Sequence, residues 1–150
     1  MAGISGGEKL EARLAEIAKR LKRGAVVKVG FLENATYPDG TKVALIAAIQ
    51  DFGAPSVGIP PRPFFRNMIA DKKGEWPAAL ERLLEANDYD AERALALMGE
   101  GIAGQLRQSI VDTNDPPLKP ATIARKGSSK PLIDTGHMLA SVDYEVESTG

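Results

Sequence analysis

Few residues in this chain have types and spacing that could support chemistry. The first group is Leu132-Ile133-Asp134-Thr135-Gly136, which follows the hydrophobic-hydrophobic-Asp-Thr-Gly pattern of an aspartic protease loop. That chemistry needs two carboxylates sharing one proton, from an internal repeat or a dimer. The chain carries one copy, placed just before its last expected strand. The stronger reading makes Asp134 the cap of a short helix over Thr135–Ala140, its carboxylate accepting backbone N–H groups. His137 is the chain's single histidine. No HxH or HExxH pattern accompanies it, and without cysteine any metal site would need carboxylates. No metal and no cofactor is therefore expected, and His137 is read as a surface or interface residue. A small hydrolase using Asp134 and His137 is the enzymatic alternative. Gly127-Ser128-Ser129-Lys130 lacks the GxxxxGK[ST] spacing of a phosphate cradle, and no nucleophile–base pair is found.

Two further stretches point to binding. Lys119, Arg125, Lys126 and Lys130 lie in a run, Pro116 to Ile133, that holds no acidic side chain. Such a basic loop could meet DNA phosphates, a sequence-blind and salt-sensitive contact, or an acidic protein surface. Pro117, Pro120 and Pro131 stiffen it, which favours protein docking. A short helix is expected from Pro120 to Lys126, with Gly127 as its stop. The second stretch is Ala54 to Pro63, where Pro55, Pro60, Pro61, Pro63 and Gly58 exclude helix and central strand. It reads as an extended, semi-rigid arm over residues 54–65, presenting Val57, Ile59 and Pro61 and running into Phe64 and Phe65. A stiff apolar arm loses little entropy on docking, which suits an interface. The bland alternative is a crossover lying on its own domain, with both phenylalanines in the core.

These stretches also carry a resemblance. PPLKPATIARKG followed by KPLIDTGHMLASVDYEV, at 116–127 and 130–146, resembles the signature of a bacteriophage morphogenesis family. Upstream, IQDFGAPSVGIPPRPFFRNMI at 49–69 is similar to the same family's hydrophobic helix, FG and PPRPFFR element. The family comprises the tail-completion, or head-to-tail joining, proteins of long-tailed and Mu-like phages. The matches run in order over roughly Val26 to Val146. The resemblance implies a non-enzymatic structural protein of the virion neck, made in the host cytoplasm and working as a ring of its own copies, a hexamer or else a dodecamer. Implied partners are head-side connector or stopper proteins, a tail terminator or tube protein, and genomic DNA in the channel. A DNA-binding accessory protein using the basic loop is a further alternative.

The elements that must position these residues follow from periodicity. At 150 residues, the chain fits one domain by the usual ~100–200 residues per domain. It is 43% hydrophobic with a formal net charge of -1, so no global attraction to nucleic acid or membrane is implied. No apolar run approaches a membrane span, and the glycine-rich start over residues 1–7 lacks the apolar segment of a secretory signal. Glu8–Arg23 reads as a helix with Leu10, Leu14, Ile17 and Leu21 at helical spacing on one stripe. Ala25–Leu32 reads as a strand with Val27, Val29 and Phe31 facing one way. Thr41 is expected to cap a helix over Lys42–Phe52 with Leu45, Ile46 and Ile49 inward. Helices follow over Phe64–Asp71, Trp76–Ala86 and Ala91–Val111, the last capped by Asp90 and striped by Leu95, Met98, Ile102, Leu106 and Ile110. Gly99, Gly101 and Gly104 in that helix suggest a close contact or a kink. Ser141–Val146 alternates as a half-buried strand. The fold expected is α+β: a small, mainly antiparallel sheet packed by several helices. Two strands alone are marginal in water, so further strand is expected from residues 33–41, 54–60 or a neighbouring subunit.

Overall fold

The computed structural model describes residues 7–22, 24–113 and 136–149. Its spine is α5, Ala91–Asp112, opened by the Asp90 carboxylate, which accepts the Arg93 N–H at 3.2 Å. Along one side of α5 lie Ala94, Met98, Gly99, Ala103, Leu106 and Ile110, all buried. This is the apolar period expected of a helix packed on one face.

An antiparallel ribbon lies across that face. Strand β1 (Ala25–Phe31) pairs with β2 (Val142–Ser148), in register from Ala25↔Ser148 to Phe31↔Val142. Alternation turns Val27, Val29, Tyr144 and Val146 toward the helix and Lys28 outward, where it pairs with Glu147 at 2.9 Å. Gly99 permits the approach. A Cβ there would sit 2.7 Å from Val27 Cγ2 and 2.8 Å from Tyr144 Cδ2. Gly101 and Gly104 face open space, so of the three glycines only Gly99 makes the close contact, and it makes it with the ribbon.

The other helices attach around this unit. They are α2 (Val43–Phe52), α3 (Phe64–Lys72), α4 (Trp76–Ala86) and the one-turn α6 (His137–Ala140). The core gathers Val43, Ala47, Phe64, Met68, Leu106, Ile110 and Met138. Ser109 Oγ donates to the Phe64 carbonyl at 2.6 Å, which places the start of α3 at the far end of α5. Leu80, Leu83 and Leu84 of α4 are half-buried, and the Trp76 indole N–H donates to Gln105 at 2.9 Å. The architecture is α+β, with a small antiparallel sheet packed by helices.

Several expectations are corrected. The first helix, α1 (Gly7–Leu21), forms as expected; of its stripe, Leu10, Leu14 and Leu21 are exposed and Ile17 is half-buried. Helix α2 begins at Val43 with Lys42 before it and no side-chain cap. Thr41 instead belongs to the preceding turn: its N–H donates to Asp39 Oδ1 at 2.9 Å and its carbonyl accepts the Tyr37 N–H at 2.8 Å. The buried residues of α2 are Val43, Ala47 and Asp51, while Leu45 points outward. The arm is extended only in part: Pro55–Val57 wind into a 3₁₀ turn, and Ala54 bridges back to Ile59. Proline at the first position and Gly58 in the left-handed region supply both ends of that turn. Among the described residues the sheet has two strands. Residues 33–42 and 54–59 add only the isolated bridges Thr36↔Lys42 and Ala54↔Ile59. Helix α6 starts at His137 behind Gly136, which is left-handed at φ 72°. The Asp134 cap, the Pro120–Lys126 helix and the basic residues Lys119, Arg125, Lys126 and Lys130 lie outside the described residues.

Candidate interaction surfaces

Helix α2, VALIAAIQDF, has eight apolar residues of ten and two polar ones, Gln50 and Asp51. A helix apolar all round is normally enclosed. Here one side is enclosed by the core, and the other presents Ala44, Leu45, Ala48 and Phe52 to solvent. Leu45 is 56% exposed and Phe52 63%. The chain then passes into the turn, whose Val57 is 71% exposed. Exposed apolar side chains are ordinary when scattered; a run of them along one helix marks a contact surface.

This surface is held rigidly. Asp51 is buried, and its Oδ1 accepts the N–H groups of Phe65 (3.0 Å) and Arg66 (3.3 Å) at the start of α3. Its Oδ2 accepts Arg66 Nε at 2.7 Å, and its carbonyl accepts Arg66 Nη2 at 2.6 Å. An anion at a helix N-terminus is favoured by both the free N–H groups and the dipole. The Arg66 guanidinium lies 4.5 Å from the centre of the Phe52 ring, a cation–π contact. Behind them Gly53 has φ 76°, and a Cβ there would lie 2.7 Å from Pro61 N and 2.9 Å from Ile59 O. Arg62, buried, donates its backbone N–H to Gln50 O at 2.7 Å. The 54–66 segment is therefore clamped to α2 at both ends.

The expected interface residues divide accordingly. Val57 is at the exposed tip, Ile59 is half-buried, and Pro61 is exposed beside a groove of about 830 Å³ between α3 and α5. Phe64 is 1% exposed and belongs to the core, where its ring meets Phe31 edge-on at 6.3 Å. Phe65 is half-buried in an apolar cleft of about 220 Å³ with Val27, Val29, Ile69, Trp76 and Ile102. His137 sits elsewhere, on the 36–37 loop. Its Nε2 is 2.6 Å from the Thr36 carbonyl, so that nitrogen carries the hydrogen, and its ring lies 4.9 Å from Tyr37. The structure thus joins the arm to α2 and leaves His137 in a separate contact.

A second apolar surface is α1. Leu10 (60% exposed), Leu14 (55%) and Leu21 (42%) form its open stripe. Ile17 of the same stripe is half-buried, and ion pairs tie the helix to the body. Arg13 and Arg20 both pair with Asp88, Arg20 at 2.6 Å, and Arg20 also bonds the Asp88 carbonyl at 2.7 Å. Asp88 and Tyr89 are left-handed (φ 57° and 60°), a turn that offers carboxylate and carbonyl to the same guanidinium. Hydrogen bonding from Arg13, then Arg20, holds the Asp88 carboxyl below the usual carboxylate range. These pairs are exposed, and such pairs contribute little.

The sequence reading turns Leu45 inward because period alone does not say which stripe finds a partner. The readable signal at α2 was the scarcity of polar residues, too few to cover an exposed side. Among the described residues no group of three His, Cys, Asp or Glu could hold a metal, and no helix is long and apolar enough to cross a membrane. Comparison with protein-family models, curated proteins and solved structures finds no match to this chain.

Proposed function

We propose that the chain is a structural assembly subunit of a phage neck. In this reading it joins the tail to the DNA-filled head, or completes the head-proximal tail end, and works as a ring of copies between connector and tail proteins. The observation that carries the assembly part is the outward side of α2, with Leu45, Ala48 and Phe52 in water and Asp51 and Gly53 fixing the adjoining turn. A subunit that worked alone would gain nothing from a rigidly held apolar surface; a subunit that docks gains affinity from preorganisation. The neck part rests on the two sequence stretches at 49–69 and 116–146 that resemble tail-completion proteins. The hydrolase alternative gains nothing from His137, whose Nε2–H is committed to a backbone carbonyl.

Inactivating the gene in the phage that carries it tests the reading. Full heads and separate tails accumulating side by side are expected. Joined, infectious particles in normal yield would overturn it.

A further inference from the structure

The two edges of the β1–β2 ribbon differ. In an antiparallel pair, opposite residues alternate between exchanging both backbone bonds and turning both groups away. Gly24 O accepts the Thr149 N–H at 2.7 Å, which sets the phase. Gly24, Val26, Lys28 and Gly30 therefore bond to β2, while Ala25, Val27, Val29 and Phe31 turn their N–H and C=O groups to the free edge of β1. The matching groups of β2 are partly taken. Val142 O accepts Arg107 Nη2 at 3.0 Å, and the Tyr144 N–H donates to Asp143 Oδ1 at 2.8 Å. Among the described residues no backbone group bonds the free edge of β1. Folded proteins ordinarily block or cover such an edge.

An apolar cleft of about 220 Å³ lies beside that edge. Val27 and Val29 form one wall, and Phe65, Ile69, Trp76 and Ile102, from α3, α4 and α5, form the rest. The Trp76 N–H is already given to Gln105 at 2.9 Å, so the side chains of the cleft offer apolar contact alone. The helices thus reach past β1, and two strands are too few to cover them. Residues 33–42 and 54–59 supply only bridges to their own loops. Toward Phe31 the edge runs against Phe64 and Phe65, which leaves Ala25 to Val29 open. A strand added there would gain ladder hydrogen bonds from β1 and would lay every second side chain over the cleft.

We infer that the Ala25–Val29 edge and its cleft bind an extended segment of a partner polypeptide, with an aliphatic side chain at every second residue. The occupant is a lone segment and not the ribbon of a second copy. The space beneath the added strand is taken by α3 and the start of α4, whose side chains line the cleft. A second copy's β1 brings its own α5 beneath it and would collide there. The segment pairs antiparallel, as β2 does, so its cleft-facing residues are the ones that exchange hydrogen bonds with Ala25, Val27 and Val29. This site is separate from the α2 face and does not depend on the neck reading.

The test uses full-length protein and a capped heptapeptide in which valine alternates with threonine. Trp76 is the chain's single tryptophan and lines the cleft, so its emission reports binding. Titration with the peptide should shift that emission and saturate. Methylating the valine nitrogens removes the N–H groups that face β1, and binding should weaken by roughly tenfold or more. Methylating the threonine nitrogens, which face away, should leave binding unchanged. Equal effects of the two methylated peptides, or no emission change at the solubility limit of the parent peptide, would overturn the inference. Ile69→Lys, at a half-buried position of the cleft, should lose the response while circular dichroism shows a folded chain. Leu45→Glu, on the α2 face, should keep it, which separates this site from the surface of the assembly reading. A dimer in light scattering that the peptide dissociates would assign the edge to a second copy and overturn the commitment to a lone segment.

Discussion

Helices α5 and α1 carry the same kind of pattern and meet opposite fates. Both repeat aliphatic side chains at helical spacing, and both begin with acidic residues. In α5 the repeat is buried against the ribbon and α3, and Leu106 and Ile110 have no exposed surface. In α1 none of the stripe is buried. The difference lies in what surrounds each helix. Helix α5 has partners on several sides, and a glycine at position 99 that lets the ribbon close on it. Helix α1 half-buries Ile17 and is held by two guanidiniums on one carboxylate. Apolar period therefore reports that a helix needs a partner; it does not report whether the partner belongs to the same chain.

The largest effect that would break this comparison is expected at Leu106. Leu106→Ala should destabilise the fold by about 2–5 kcal/mol, the usual range for a fully enclosed leucine, read from urea or thermal unfolding. A loss near zero would mean that α5 is no better packed than α1. Gly99→Ala should cost about 1–3 kcal/mol by overpacking against Val27 and Tyr144, whereas Gly101→Ala, facing open space, should be neutral or stabilising. Equal effects at the two glycines would contradict the close approach at position 99. Asp90→Ala should lower stability by about 1 kcal/mol through loss of the α5 cap, and Asp90→Asn should recover most of it.

The α1 side of the comparison predicts small changes in the isolated subunit. Leu14→Ala should shift its stability by less than about 0.5 kcal/mol, measured at dilution low enough to keep the chain monomeric. A cost as large as that at Leu106 would show a buried partner within the chain. Acid gives the smallest effect. The Asp88 carboxyl is held below its ordinary value of 3.8. Its contribution to holding α1 is therefore complete above that value and is lost as pH falls through the lower folded one. Amide exchange across Gly7–Leu21 should rise in that window, while exchange across Ala91–Asp112 stays slow. The same loosening should follow from added salt at neutral pH, since the pairs are exposed.

Local rules that depend on a few neighbouring residues were legible. The Asp90 cap, the Trp76–Pro77 helix start and the alternating faces of both strands are where the sequence places them. So is the α5 stripe, where Met98, Leu106 and Ile110 are buried, although of the three glycines only Gly99 lies on that side. The misplaced features are those decided at a distance. Thr41 is a sound cap candidate by type, but its N–H and carbonyl are held in the turn by Asp39 and Tyr37. Leu45 and Val43 are equally apolar, and only the position of the core chooses between them. Phe64 and Phe65 are adjacent and chemically identical, yet one is enclosed and the other lines a cleft. The proline count excluded a regular element in residues 54–63, but the left-handed Gly58 that closes the turn could equally have sat in an extended segment. For the candidate surface, Val57 was legible as an apolar residue of the segment, but not its place in an exposed turn. Phe52 and the Asp51–Arg66 clamp were not, because their roles arise from a contact between two helices.

The ribbon has a kinetic consequence. Phe31 pairs with Val142 and Ala25 with Ser148, across well over one hundred residues of chain. Pairing so remote is slow, because loop closure costs entropy before any contact compensates it. At ordinary synthesis speeds β2 leaves the ribosome roughly 6–23 s after β1. Throughout that interval AVVKVGF is a valine-rich strand with no partner on either edge, the kind of segment that invites pairing between chains. Soluble yield should accordingly follow growth temperature and translation rate, the conditions that set how long nascent β1 waits for its partner.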